Sequence, residues 1–450
     1  MSKLKKEKYI SLTDSFVAYL LEKSSGRLPD EVVNQAKECL VDYIGVTSAG
    51  NIALCNQMLG YLENAQKGSV RIIGCDKTAD AMSSTFVNAF GTHVLELDDG
   101  HRFGMIHLAA PVISAVLTVS QMRNVSWENM VRGIVMGYEA AARSAMAMQP
   151  EHKKRGFHTS GTCGTIGAAI GVAITYRYNA EQLKSTIAAA CTGAAGLLEI
   201  QENGSELKPY NVAHAAISGL NAAYIGRTGL VGPDDILAGN RGFTKTLAKE
   251  PNVDELLKKT DYFEIQRIYR KPYAACRHCH SAIEAALTIR KAGIKPEDIK
   301  LIVVDTYRLA VNGHDHVDIR GTASAKLSIP YSVASAYILG SCGLEAFDEN
   351  HVVDKRILEL TAKVEVHENP EFTKLCSLKR IAEVHVYDNK DRKISKRIDF
   401  AKGDPENPMT REEIREKFFD LMEAAQRGEN AKKILEALDN KDIGMLFDLI

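Results

Sequence analysis

The chain has 450 residues, 45% hydrophobic and 25% charged, with 56 basic residues against 57 acidic and a formal net charge of -1. That length suits two or three domains with an ample core, and the composition is globular rather than disordered, collagenous or coiled-coil. Balanced charge argues against nucleic acid or a membrane surface as partner, so any pull on an anion must come from a local cluster.

The run from Met1 to Lys8 is basic but leads into Ser11, Thr13, Asp14 and Ser15, so no apolar signal-peptide core is expected. No uninterrupted apolar stretch reaches the length of about 18 residues that suggests a membrane span. Nine scattered cysteines, an odd number, fit reduced thiols better than a disulfide framework. The expected compartment is the cytoplasm.

To about residue 265 the pattern is helical. Val32, Val33, Ala36, Cys39, Leu40 and Tyr43 share one helical face, as do Met130, Val131, Ile134, Val135, Tyr138 and Ala141. The Ala/Gly-rich stretches 161–176 and 183–198 suit closely packed central helices, and nothing alternates with the period of a strand. Near Tyr262 the pattern changes. Residues 301–304 are β-branched and apolar, 364–366 alternate, and 384–387 with 394–400 form a hairpin across the polar turn 388–391. Helices are expected between them at 282–292 and 328–339. After Pro405 and Pro408, Thr410 and Glu413 form a capping box, and Ile414, Phe418, Leu421 and Met422 supply an apolar stripe. The expectation is a mainly α protein: a large all-helical domain built from both chain ends, 1–264 and 403–450, with an α+β domain inserted at 265–402.

Four segments can carry chemistry. In the first, Glu96, Asp98, Asp99 and His101 lie beside Arg102 and His107, ahead of an apolar helix. Carboxylates and imidazoles exchange protons near neutral pH, although acids in a helix-entry loop also cap backbone N–H groups. The second is Lys153-Lys154-Arg155-Gly156-Phe157-His158, a basic run before a helix N-terminus, which suits an anion or is simply solvated. The third places Lys208 in a short loop between two apolar helices. The fourth is Cys276-Arg277-His278-Cys279-His280; a lone C-x-x-C is a weak zinc, redox or iron–sulfur signal. The glycines at 161, 164 and 167 follow no strand and lack a P-loop ending, so helix packing explains them better than a nucleotide.

Together these segments resemble the MmgE/PrpD family. The resemblance rests on His93 with Leu97-Asp98-Asp99-x-His101 and His107-x-x-x-Pro111-Val112, Gly156-Phe157-His158, Leu207-Lys208, His280 with its Ala-rich helix, Ser328-x-x-Tyr331-Ser332, and Gly403-x-Pro405-x-Asn407-Pro408. It implies a helical domain with an α+β lid, a cleft site between them, a homodimer, and no metal or organic cofactor. It also implies catalytic roles for Asp98, His107, His158, Lys208, His280 and Tyr331, with Glu96, Asp99 and His101 at the substrate. Arg277 is placed to adapt the pocket to a particular carboxylate, with Arg102 and Lys326 as further candidate contacts. Gly100 departs from the family pattern, which commonly has Thr or Ser there, so a hydroxyl near the substrate is missing.

The family's reactions pass through a carbanion or enolate-like species next to a carboxylate, which calls for cationic and hydrogen-bonding groups where charge develops. The leading expectation is dehydration of a β-hydroxy di- or tricarboxylic acid, followed by epimerisation of a dicarboxylate and then decarboxylation. A non-catalytic carboxylate-binding protein is the reading from another class. Which imidazole is base and which is acid stays open at this level.

Overall fold

The computed structural model describes residues 10–450, so the basic run Met1 to Lys8 lies outside them. The N-terminal part is built from α1 (Leu12–Ser24), α2 (Asp30–Ala53), α3 (Ala81–Val94), α4 (Ala109–Arg123), α5 (Trp127–Met148), α6 (Thr159–Thr175), α7 (Ala180–Gly193) and α8 (Lys208–Gly226). Side-chain caps start several of them: Ser11, Asp80, Ser126 and Asn179 each accept a hydrogen bond from a backbone N–H of the first turn. Helix α6 is buried along its whole length. Its glycines are packing surfaces, as expected: a Cβ on Gly167 would lie 2.5 Å from the Ala141 Cβ and 2.8 Å from the Gly137 carbonyl of α5. Only a bare backbone lets α5 and α6 approach this closely.

A second apolar core gathers α9 (His280–Arg290), α10 (Ile329–Leu339) and a four-stranded sheet. Its strands are β1 (Ile299–Thr306), β2 (Val364–Glu368), β3 (Ala382–Asp388) and β4 (Lys393–Ile398), in the order β2-β1-β3-β4. Strands β1 and β2 are parallel and joined by a helical crossover, while β3 and β4 form the expected hairpin. The Asp388 carboxylate shapes that turn by accepting from the backbone N–H groups of Lys390 (2.8 Å) and Arg392 (2.9 Å).

The chain then enters α11 (Arg411–Ala424), where Thr410 and Glu413 form the expected capping box. Ile414, Phe418 and Met422 bury into the same core as Phe16, Leu40 and Met130. Among the described residues no helix is long and apolar enough to cross a membrane.

One expectation needs correction. Strands do occur before 265: Val70–Ile72 pairs with Lys77–Ala79, and Gly100–His101 pairs with Ile268–Tyr269. Pieces of two or three residues are too short to show alternation, and their pairing is imposed by neighbouring packing. The second pair matters for function because it ties the acidic loop to the start of the second core.

Candidate active site

Three imidazoles gather where α3, the loop before α4 and the start of α6 meet. His93 sits in the last turn of α3, His107 precedes α4, and His158 caps α6. Between α3 and His107 the chain reverses at Glu96, whose φ of 52° is left-handed, a conformation that costs a non-glycine residue roughly 1–2 kcal/mol. That reversal aims Glu96 and Asp98 back at the imidazoles. The ring centres of His93 and His107 are 4.7 Å apart, and those of His93 and His158 are 6.3 Å apart. His93 is thus close to both of the others.

Hydrogen bonds assign the protons. His107 Nδ1 is 2.8 Å from the Asp99 carbonyl, which can only accept, so Nδ1 carries the proton. It also lies 3.2 Å from Asp98 Oδ2. Nε2 of His107 is then a free lone pair with no partner among the described residues. At His158 the arrangement is reversed. The Asn211 amide nitrogen donates to the Leu197 carbonyl (3.1 Å) and to His158 Nδ1 (2.9 Å), which leaves the proton on Nε2. Burial first, and then the Lys208 charge, hold His158 well below the ordinary imidazole range, so it stays neutral. One imidazole is set as an acceptor and one as a donor.

His93 Nδ1 donates to Asp98 Oδ2 at 2.8 Å, and its buried Nε2 has no hydrogen-bond partner. Burial works against the Asp98 charge, but the imidazoles of His107 and His93 outweigh it and hold the carboxyl well below its usual range. His93, Asp98 and His107 offer ligand atoms within 4.8 Å of one another. The Nδ1 atoms of both imidazoles are committed to hydrogen bonds within this group.

Beside the imidazoles lies a surplus of positive charge. Lys208 and Lys271 both pair with Glu96, the Lys271 Nζ at 2.8 Å from Oε2 and 3.8 Å from Asp98 Oδ1. Burial pushes Glu96 up, yet these two ammonium groups hold it well below its ordinary range. Lys326 donates to the Val94 carbonyl at 3.2 Å and forms no ion pair among the described residues; burial draws its ammonium down to about 8. Arg380, 7% exposed, makes a single hydrogen bond, at 3.4 Å to the Arg102 carbonyl, and has no carboxylate within ion-pair distance among the described residues, Asp404 acting on it only from further off. Burial and then the nearby Arg380 charge depress Lys153. Buried cations without counter-ions are costly unless an anion joins them.

The other expected site residues are engaged elsewhere. Asp99 accepts from Ala109 N–H (3.0 Å) and from the Tyr138 hydroxyl (2.6 Å), so it anchors the start of α4; burial pushes its carboxyl up to about 6. His101 Nε2 donates to Glu264 at 3.1 Å, and its Nδ1 accepts from the Gly104 N–H at 3.2 Å. Arg102 pairs with Glu406, and Arg277 with Asp404 at 2.6 Å. His280 accepts from Arg277 (2.9 Å) and donates to the Ala275 carbonyl (3.1 Å), which uses both of its nitrogens. Tyr331 donates to the Ala346 carbonyl at 2.8 Å inside the second core. These side chains make the frame. In this ligand-free arrangement their charges are paired or their polar atoms bonded within the protein.

Of the residues that do converge, sequence reasoning named His93 only as a landmark and did not name Lys271, Arg380, Asn211 or Tyr269 as site residues. Lys271 and Arg380 sit in the short basic pairs Arg270-Lys271 and Lys379-Arg380, a faint signal in a chain with 56 basic residues. Asn211 lies within an ordinary-looking helix and has no local signal.

Two family models match the chain: the MmgE/PrpD N-terminal domain over residues 14–256 and the MmgE/PrpD C-terminal domain over residues 273–442. The cis-aconitate decarboxylase-like protein oryM of Aspergillus oryzae is 24% identical over 98% of this chain and 97% of its own length. The cis-aconitate decarboxylase of Aspergillus terreus is 22% identical over 94% of this chain and 92% of its own length. That of Homo sapiens is 22% identical over 91% and 87%. The landmarks read from the sequence and the matched models agree: this chain belongs to the MmgE/PrpD family.

Proposed function

We propose that this protein is a lyase acting on a small di- or tricarboxylic acid, and that it dehydrates a β-hydroxy acid through abstraction of the α-proton. One observation carries the reading: His107 and His158 are held as opposite tautomers, one presenting an acceptor and one a donor, beside buried cations that lack ion-pair partners among the described residues. Substrate carboxylates would neutralise Arg380, Lys326 and Lys153. The His107 Nε2 lone pair takes the proton next to a carboxylate, and Asp98 supports the imidazolium that forms. Lys208 faces the negative charge that develops on the enolate-like species. The proton now on His107 Nε2 then passes to the departing hydroxyl as the C–O bond breaks, the neutral His158 Nε2–H donating a hydrogen bond to that oxygen, and water leaves. Both imidazoles end the cycle as they began it. No step calls on a cofactor or metal. The proposal also takes 265–402 as a lid over the cleft and the protein as a cytoplasmic homodimer.

Decarboxylation is the second reading, favoured by the names of the relatives. In it the same cations hold the remaining carboxylates, carbon dioxide leaves, and an imidazole protonates the carbanion. Epimerisation follows if the opposed imidazoles exchange a proton across one carbon with no leaving group.

A panel of small polycarboxylates, followed by proton NMR in deuterated water, tests these readings. Loss of water with an alkene signal supports dehydration. Deuterium incorporation without net loss supports epimerisation, and carbon dioxide release supports decarboxylation. If every acid stabilises the fold yet none reacts, the protein is a carboxylate binder and the lyase reading falls.

A further inference from the structure

One nucleophilic group has no part in this chemistry. Cys276 sits where α9 is approached from the second core, half-buried, with its Sγ 3.3 Å from His314 Nε2. His314 Nδ1 is 3.0 Å from the Asn312 carbonyl, which can only accept, so Nδ1 carries the proton and Nε2 faces the thiol as an acceptor. A thiol, an imidazole within reach and a third group orienting that imidazole are the parts of an activated sulfur nucleophile. Burial alone would push the thiol up, but the adjacent His314 imidazole, helped by Lys208, draws it below the ordinary thiol range. Among the other cysteines, burial pushes Cys39, Cys75, Cys163, Cys191, Cys279 and Cys342 the opposite way.

The surroundings favour an anionic electrophile. His314 lines a cavity of about 330 Å³ between 201–204 and 312–327. Behind the pair, the His278 ring is 5.0 Å from that of His314, and the charges of Lys153, Arg380 and Lys208 all act on His278. The sulfur thus lies behind a cavity-lining imidazole and within the field of three cations.

We propose that Cys276 and His314 form a nucleophilic pair that captures small α,β-unsaturated carboxylates as a thioether. His314 Nε2 accepts the thiol proton as sulfur attacks the β-carbon. The alkene π-electrons move to the α-carbon, which takes that proton back from the imidazolium. One C–S bond and one C–H bond form, nothing leaves, and no oxidant is needed. The choice of electrophile rests on the proposed function, because loss of water from a β-hydroxy acid yields this kind of alkene. The adduct would place a carboxylate beside Lys208 and close the site to its own product class.

The test incubates the full-length protein at neutral pH with acrylamide, a neutral acceptor, or with fumarate, a charged one, and maps adducts by mass spectrometry. Both should label Cys276 ahead of the other eight cysteines. His314→Asn should slow both reactions roughly tenfold, through loss of thiolate. Acrylamide labelling that does not favour Cys276, or that is indifferent to His314→Asn, overturns the pair and leaves the cleft untouched. Selective labelling by acrylamide without labelling by fumarate overturns the carboxylate specificity. Thermal stabilisation of Cys276→Ser by succinate then reports on the cleft alone, since succinate binds without reacting. Loss of that stabilisation would count against the proposed function rather than against the thiol.

Discussion

Gly100 and Tyr269 face each other across a two-residue antiparallel pair, and the tyrosine ring fills the space a side chain at position 100 would need. A Cβ on Gly100 would lie 2.5 Å from the Tyr269 Cζ and 3.0 Å from the Ile106 carbonyl. The missing hydroxyl at 100 is thus matched by a tyrosine hydroxyl delivered from the opposite strand. Gly100→Ser should destabilise the protein by about 1–3 kcal/mol, the usual cost of overpacking. Urea unfolding would show it, and in a Tyr269→Ala background the same substitution should cost much less than in the parent. A single variant as stable as the parent would disprove the clash.

Asn211 decides which nitrogen of His158 bears the proton. Asn211→Asp replaces the amide donor with an acceptor, which moves the proton to Nδ1 and strips Nε2 of its donor. Turnover should fall by about 10²-fold or more, the cost of losing one positioned hydrogen-bond donor where charge develops. The substrate KM and the melting temperature should change little. An equal rise in KM would instead point to a binding role for His158.

Arg380 should show opposite effects on stability and on binding. Removing a buried guanidinium that lacks a counter-ion relieves a desolvation cost, so Arg380→Met should melt at the same temperature as the parent or higher. Its KM should rise about tenfold or more, given the roughly 1.5–3 kcal/mol of a charged hydrogen bond. A lower melting temperature with unchanged KM would mean that Arg380 serves the fold.

Stability should fall on acidification below the ordinary imidazole value of about 6.5. Burial, as the first cause, holds His93, His158, His278 and His280 below that value in the folded protein. The unfolded chain therefore binds protons that the native state refuses, and stability rises with pH through this window. Below the ordinary carboxylate range Glu96 and Asp98, held low by their neighbours, act in the same direction. Asp99 opposes them: raised to about 6 by burial, it favours the fold below that value and loses its contribution as pH rises through it. One carboxyl against four imidazoles leaves the net sign unchanged. Melting curves from pH 8 to 5.5 should shift to lower temperature, and a flat or rising trend would refute the neutral-imidazole assignment.

Much of this protein follows from local pattern. Helical periodicity from Asp30 onwards, the Thr410–Glu413 capping box and the hairpin around Asp388 are near-neighbour effects that need no knowledge of the rest of the chain. The acidic loop, His158 and Lys208 were legible as landmarks for the same reason: short segments with unusual composition. What each residue does there was not. Asp98 and Asp99 are adjacent, yet one binds two imidazoles and the other anchors a helix. Tyr331 and His280 share the landmarks but spend their polar atoms on the frame. Arg380 reaches the cleft from 278 residues beyond Arg102. The near-neutral total charge likewise conceals the local surplus around Lys208, Lys326 and Arg380. Sequence by itself determined which elements form and which residue types are at hand. Tertiary structure decided protonation, pairing and which cations go without a partner, because hydrogen bonds and Coulomb forces act through space rather than along the chain.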